Sequence, residues 1–189
     1  MKNQQLVDLA LEYCKFYHDG QFRKGGNQPY HTHPIAVAKI LEKFGYHDSV
    51  PQCIALLHDV VEDSEVITGE IRERFGFEIS NGVYVLSKNT IKEPAIDLVQ
   101  RVLGSVMPTD KLYKIRLSFA RETVQRIKIA DMIHNTQDLI TLKPEGRQRK
   151  IDDAEQFYIP LGKVVAPLMV RELEQNLDNY RRLIASGRQ

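Results

Sequence analysis

The chain has 189 residues, with 26 Lys and Arg against 25 Asp and Glu and a formal net charge of +1. Its length suits one domain with a sizeable core spanning residues 1–189, and its 42% apolar content argues against a disordered or fibrous chain. The balanced charge excludes a global field that would advertise nucleic acid or a membrane surface, so any anionic ligand must be met by a local cluster of Lys and Arg.

In chain order, "LVDLALEYCKFYH" spaces its apolar residues as a helix. "DGQFRKGGNQPYHTHP" breaks it with three glycines and two prolines and reads as a loop. "IAVAKILEKFG" resumes a helix after Pro34 and stops near Gly45. "SVPQCIALLHDVVED" reads as a third helix, with Ser49 as N-cap and Pro51 in its first turn. "TGEIRERFG" is short and helical, closed by Gly76. "EISNGVYVLSK" reads as helix, although its β-branched residues leave a strand open. Residues 94–106 and 112–142 look helical, "PEGRQRK" reads as a loop, and residues 151–170 hold one or two helices around Pro160, Gly162 and Pro167. The last helix carries Met169, Leu173, Leu177, Tyr180 and Ile184 on one stripe, which either seals the core or faces a second subunit. No strand alternation appears, so the expected fold is one all-α domain, irregular rather than a simple bundle.

The two cysteines, Cys14 and Cys53, fall in apolar helical patterns and read as buried free thiols, which fits a reducing cytosol. The opening "MKNQQLVDLALEY" has charge and amides where a signal peptide needs an apolar core. Apolar runs fall far short of a membrane span. A soluble, cytoplasmic protein is expected.

Chemistry concentrates in three stretches. "ALLHDVVEDSE" places Asp59, Glu62, Asp63 and Glu65 beside His58. On a helix, positions four apart share a face, so His58 would stack on Glu62 and Asp59 on Asp63. Negative charge at a helix C-terminus is unfavourable, and a divalent cation would offset it. "RIKIADMIHNTQDL" embeds Asp131 among apolar residues, with Asn135 and Asp138 on its face. A buried aspartate costs free energy unless it is paired, hydrogen-bonded or bound to metal, and the spacing alone does not choose among these. "PYHTHPIAV" adds His33. Together His33, His58, Asp59 and Asp131 form a mixed N/O set that suits Mn²⁺, Fe²⁺ or Zn²⁺ better than Mg²⁺ or Ca²⁺.

His…His-Asp…Asp on helices is the pattern of the HD superfamily of metal-dependent phosphohydrolases. "RKGG…PYHTHPIAVAKIL", "IALLHDVVEDSEVITGEIRERFG" and "IKIADMIHNTQDL" resemble, in order, the hydrolase domain of the Rel/Spo alarmone enzymes. The resemblance covers roughly residues 6–168. It implies an irregular multi-helix HD fold around a central metal site, and Mn²⁺-dependent hydrolysis of the 3′-pyrophosphate of (p)ppGpp to GDP or GTP and pyrophosphate. It carries the metal ligands onto His33, His58, Asp59 and Asp131 and the catalytic acids onto Glu62 and Asp63. It places Arg23 and Lys24 by the nucleotide, Asn135 near ribose and phosphates, and, in a looser alignment, Tyr158 beside the nucleotide.

Long members of that family carry further domains, for which 189 residues leave no room. The chain therefore resembles the stand-alone hydrolases, among them the metazoan Spo homologue. One residue departs from the family pattern: Met132 stands where the downstream motif usually has Arg. Lys88, in "VLSKN", reads either as a phosphate ligand or as a solvated helix-end lysine, and "KPEGRQRK" as a solvated loop rather than a phosphate-attracting rim. The expected ligand is a small nucleotide, not nucleic acid or membrane. Alternatives are another HD hydrolase acting on NADPH or nucleoside monophosphates, a silent nucleotide sensor, or a purely structural helical domain. Oligomeric state and regulation stay open.

Overall fold

A computed structural model describes residues 3–24, 26–92 and 108–187, with the backbone alone for Ile91 and Lys92. The helix expected over residues 94–106 lies outside the described residues. Among those described, the chain is α-helical, and its sole β pairing is an isolated bridge between Phe22 and Pro29.

The helices in order are α1 (Asn3–Tyr17), α2 (Thr32–Lys43), α3 (Ser49–Leu57), α4 (Val60–Asp63), α5 (Thr68–Phe75) and α6 (Phe77–Leu86). There follow α7 (Thr109–Ser118), α8 (Glu122–Gln137), α9 (Pro144–Asp153), α10 (Ile159–Val165) and α11 (Pro167–Ala185).

Helix α8 is the axis of the fold. Val124, Ile127, Ile129, Ala130, Met132 and Ile133 are all buried, an apolar surface that runs round the helix instead of along one stripe. A helix of that kind needs neighbours on every side. It finds them in α2, α3, α6, α10 and α11. Asn176 on α11 donates to the Ile133 carbonyl (2.9 Å) and Arg126 to the Val165 carbonyl (2.9 Å), which fixes α8 against the C-terminal helices. The stripe of α11 faces inward: Met169, Leu173 and Leu177 are buried, while Ile184 is exposed. Both cysteines are buried free thiols, and burial pushes each thiol up to about 12.

Four local expectations are corrected. The third helix does not run through "HDVVED": it ends at Leu57 and a new turn starts at Val60. The amides of Glu62 (3.0 Å) and Asp63 (2.9 Å) both reach back to the Asp59 carbonyl, which closes that turn. Asp48, not Ser49, holds the cap position of α3, with an extended backbone (ψ 145°). Helix α2 starts at Thr32, so His33 lies inside its first turn and not ahead of it. "PEGRQRK" is helix α9, entered through Pro144 in its first turn. Arg147 on α9 donates to the carbonyls of Leu139, Ile140 and Leu142, and these bonds hold α9 to the short turn that follows α8.

"EISNGVYVLSK" is helical, and Gly82 explains how α6 packs. A Cβ there would come within 2.5 Å of Ile54 Cδ1, so only glycine permits the close approach of α6 to α3. That approach sets the position of Lys88, just beyond α6, relative to Glu62.

Candidate metal centre and cleft

Three elements converge on one buried point. His33 comes from the first turn of α2, His58 from the end of α3, and Asp131 from the middle of α8. Their ligand atoms all lie within 4.8 Å of one another. His33 Nε2 is 3.0 Å from Asp131 Oδ1 and 3.5 Å from Asp59 Oδ2. His58 Nε2 is 3.2 Å from Asp59 Oδ1 and 3.9 Å from Asp131 Oδ1. Three residues thus form the tight set, and Asp59 flanks it within reach of both imidazoles.

The donor set fits a divalent transition metal. His58 donates through Nδ1 to the Ala55 carbonyl (2.7 Å), which leaves Nε2 with a lone pair. That Nε2 is buried and has no hydrogen-bond partner, a cost the fold carries only if something else meets it. Two imidazole nitrogens and two carboxylates are the donors such an ion takes.

The charges around Asp131 are matched from within the protein. Burial alone would push its carboxyl up; the Lys128 ammonium, 2.6 Å from Oδ2, and the nearby His33 imidazole outweigh burial and hold it well below the usual carboxylate range. Lys128 is itself largely buried, its side chain 15% exposed, and Asp131 keeps its proton on despite that burial. Its ammonium lies 5.6 Å from the Tyr113 ring and 5.9 Å from the Tyr158 ring, a shelf of two aromatics beneath the ion pair. Asn135 donates to Asp131 Oδ1, and Met132 points into the apolar core. Met132, where the resemblance leads one to expect Arg, is 4% exposed and packs within the apolar core.

Glu62 and Asp63 behave differently. Burial pushes Glu62 up, opposed by the Lys88 backbone N–H on Oε2 (2.9 Å) and reinforced by the Asp59 charge. Burial and the Asp59 charge also push Asp63 up. Both line a cleft of about 450 Å³ that opens over the His/Asp cluster.

Arg23, Lys24, Lys88, Asn135, Arg149 and Lys150 line the same cleft. Arg23 bonds loosely to Asn135 Oδ1 (3.4 Å) and lies 5.9 Å from the Tyr30 ring. Lys88 pairs with Asp110 (2.9 Å). Among the described residues, Arg23, Lys24, Arg149 and Lys150 have no carboxylate partner in an ion pair. Burial, then the Lys128, Arg23 and Lys24 charges, lower Lys150 against the pull of Asp131. "KPEGRQRK" is thus neither a loop nor merely solvated: its helix turns Arg149 and Lys150 to the cleft.

Tyr158 is placed elsewhere. It is 4% exposed, sits behind Lys128 and is not part of the cleft lining. The structure places it beneath the Lys128–Asp131 pair, its ring 5.9 Å from the Lys128 ammonium.

Four residues near the site escaped the sequence reading. Lys128 carries a signal, three positions before Asp131 on the same helical face. Tyr30 donates to Asp59 Oδ2 (2.8 Å). His18 is buried, its Nδ1 2.8 Å from Gln21 Oε1 and its ring centroid 4.8 Å from that of Tyr30 at a tilt of 38°, and Gln21 in turn donates to the Asp63 carbonyl (2.8 Å). His134 Nδ1 lies 2.7 Å from His33 Nδ1. Burial, with the His33 and Arg23 charges, lowers His134 to about 4. No spacing rule could find Tyr30, His18 or His134, because each acts across the fold.

An HD domain family model matches residues 10–164. A probable GTP pyrophosphokinase of Mycobacterium leprae is 35% identical over 174 residues, covering 91% of this chain and 21% of that protein. A guanosine-3′,5′-bis(diphosphate) 3′-pyrophosphohydrolase of Haemophilus influenzae is 34% identical over 147 residues, covering 77% and 20%. The chain thus spans about a fifth of the length of the curated relatives it matches. A solved structure described as a metazoan ortholog of SpoT that hydrolyzes ppGpp superposes with a TM-score of 0.75 at 21% identity, covering 93% of this chain and 95% of that one. That likeness extends the fold over nearly the whole chain.

Proposed function

This chain belongs to the HD domain family, and from that premise we propose that it hydrolyses the 3′-pyrophosphate of guanosine tetra- and pentaphosphate, giving GDP or GTP and pyrophosphate, with Mn²⁺ as its metal. One observation carries the reading: a single cleft is lined by His33, Asp59 and Asp131 of the buried His/Asp cluster, by the acidic pair, and by four cations that form no ion pair among the described residues. The relative from Haemophilus influenzae, named for this reaction, and the structural neighbour described as hydrolysing ppGpp support the choice of substrate. The proposal includes a single-domain, cytoplasmic enzyme acting on a small nucleotide. No helix among the described residues is long and apolar enough to cross a membrane.

His33, His58, Asp59 and Asp131 would hold the ion. When bound, it supplies a polarised phosphoryl oxygen and a water of lowered pKa. Glu62 is anchored at Oε2 by the Lys88 amide, so Oε1 is left to orient the attacking water and accept its proton. The elevated proton affinity of Glu62 suits that task. Asp63, on the same short turn, shares the task from the Tyr30 side. Arg23, Lys24, Arg149 and Lys150 hold the phosphates and offset their charge, and the backbone bond that Lys88 gives Glu62 keeps the base in place. Asn135, tied to both Asp131 and Arg23, links the metal end of the cleft to the phosphate end.

The test is product analysis on metal-stripped protein, with and without Mn²⁺, against ppGpp, NADPH and a deoxynucleoside monophosphate. Mn²⁺-dependent release of GDP and pyrophosphate from ppGpp is expected. Phosphate from NADPH or the monophosphate, with ppGpp untouched, would keep the metal site and overturn the substrate. Binding of ppGpp without turnover of any compound would make the protein a sensor.

A further inference from the structure

The two buried imidazoles solve one problem in different ways. A histidine that ligates a metal through Nε2 must keep its lone pair there, so its hydrogen sits on Nδ1 and needs an acceptor. For His58 the acceptor is the Ala55 carbonyl at 2.7 Å, which can only accept. The backbone therefore fixes that tautomer unconditionally. His33 has no carbonyl at Nδ1; its neighbour is Nδ1 of another imidazole, His134, also at 2.7 Å, with ring centroids 4.8 Å apart.

A contact of that length between two imidazole nitrogens requires one hydrogen between them. Two lone pairs repel, and two N–H groups collide. His33 is 1% exposed, so bulk water cannot stand in for the missing partner. Its other nitrogen, Nε2, faces Asp131 Oδ1 at 3.0 Å and Asp59 Oδ2 at 3.5 Å, the place where the ion would lie.

We infer that His134 is the positioning residue of the metal centre: its Nδ1 accepts the Nδ1–H of His33 and thereby keeps the His33 Nε2 lone pair turned to the ion. His134 itself carries its hydrogen on Nε2. It touches neither the ion nor the substrate and acts wholly through His33. An acceptor behind a ligating histidine typically accounts for 10–100-fold in metal affinity.

The experiment compares His134→Leu, which removes the acceptor, with His134→Asn, whose Oδ1 stands about where the histidine Nδ1 stood. The readout is the dissociation constant for Mn²⁺ alone, by competition with a chelating dye, with thermal melting of the metal-free proteins to show that they fold. His134→Leu should weaken Mn²⁺ binding by 10–100-fold, and His134→Asn should restore most of it. On Zn²⁺-loaded wild type, ¹⁵N NMR should find the His33 hydrogen on Nδ1. Near wild-type Mn²⁺ affinity in His134→Leu would overturn the assignment, as would equal loss in both variants or a His33 without hydrogen on Nδ1. If His134→Leu fails to fold, the Asn variant and the NMR tautomer decide. No nucleotide enters the measurement, so it stands or falls apart from the proposed substrate.

Discussion

Asp131 and the Asp59–Asp63 segment lie across one cleft from each other, and the fold treats their charge in opposite ways. Asp131 sits in an unbroken helix and meets a cation from its own chain, Lys128, one turn earlier. Its charge is balanced before any ligand arrives. Asp59, Glu62 and Asp63 sit where the helix breaks, and no Lys or Arg side chain among the described residues forms an ion pair with them. They receive an amide, a hydroxyl and two imidazoles, but no permanent cation. One half of the site is thus built for stability. In the other half the imidazoles favour the Asp59 charge, but burial leaves the charged forms of Glu62 and Asp63 costly until a metal and substrate reach them. Groups needed for chemistry are commonly held in such unfavourable surroundings.

The largest way to test that division is on turnover. Glu62→Gln combined with Asp63→Asn should lower kcat by roughly 10²–10⁴-fold, with the melting temperature held or raised. Full activity in a folded double variant would remove the acid pair from the mechanism.

Lys128→Met attacks the other half. It leaves Asp131 buried without its cation and should cost about 3–5 kcal/mol of stability, read by denaturant unfolding of the metal-free protein. Adding Asp131→Asn to the same chain should recover a large part of the loss. If Lys128→Met is as stable as wild type, the ion pair does not hold the helix core together.

A metal is the missing cation of the second half, so it should stabilise the wild type. Mn²⁺ at 100 times its dissociation constant is expected to add about 2.7 kcal/mol, seen as a rise in melting temperature. His58→Ala should abolish that rise. An unchanged melting temperature in the wild type would argue that the His/Asp set binds no ion.

The smallest effect is the pH dependence of the metal-free protein, and there Asp131 and the Glu62/Asp63 pair have opposite signs. Asp131 is held below its ordinary value, so its stabilisation is present above about pH 3.9 and lost as the pH falls through its folded value. Glu62 and Asp63 are pushed above theirs, so folding loses stability as pH rises from about 4 through their folded values. Thermal melts from pH 3 upward should show that decline in the wild type and a flatter curve in the Glu62→Gln, Asp63→Asn double variant. Identical slopes would contradict the burial cost assigned to the pair.

Much of this molecule was legible in its sequence because helices write their own periodicity. The all-α class follows from apolar spacing alone; His58, Asp59 and Asp131 interrupt apolar helical patterns, and His33 stands just ahead of the helix start expected at Pro34. Local rules also misled. A continuous helix through "HDVVED" made the acid pair look like a helix end in conflict with the dipole. The chain instead breaks at Asp59, so Glu62 and Asp63 lie on a turn of their own and the dipole argument no longer applies to them. "PEGRQRK" looked like a loop because Gly, Pro and charge dominate it. It is helical because Arg147 ties it to the end of α8, a contact no local composition encodes.

The sequence by itself determined which residue types exist at which helical positions: an embedded aspartate, a histidine followed by acids, a histidine entering a helix. It did so because burial forbids a lone charge in an apolar stretch, and that prohibition is visible in one dimension. The tertiary structure alone decided what each of those residues faces. Only packing could bring α2 against α8, set His134 behind His33, and place Lys128 on a shelf of Tyr113 and Tyr158. Those pairings join residues up to 101 positions apart. Their partners are chosen by how helices fill space, a property of the whole core and of no single segment.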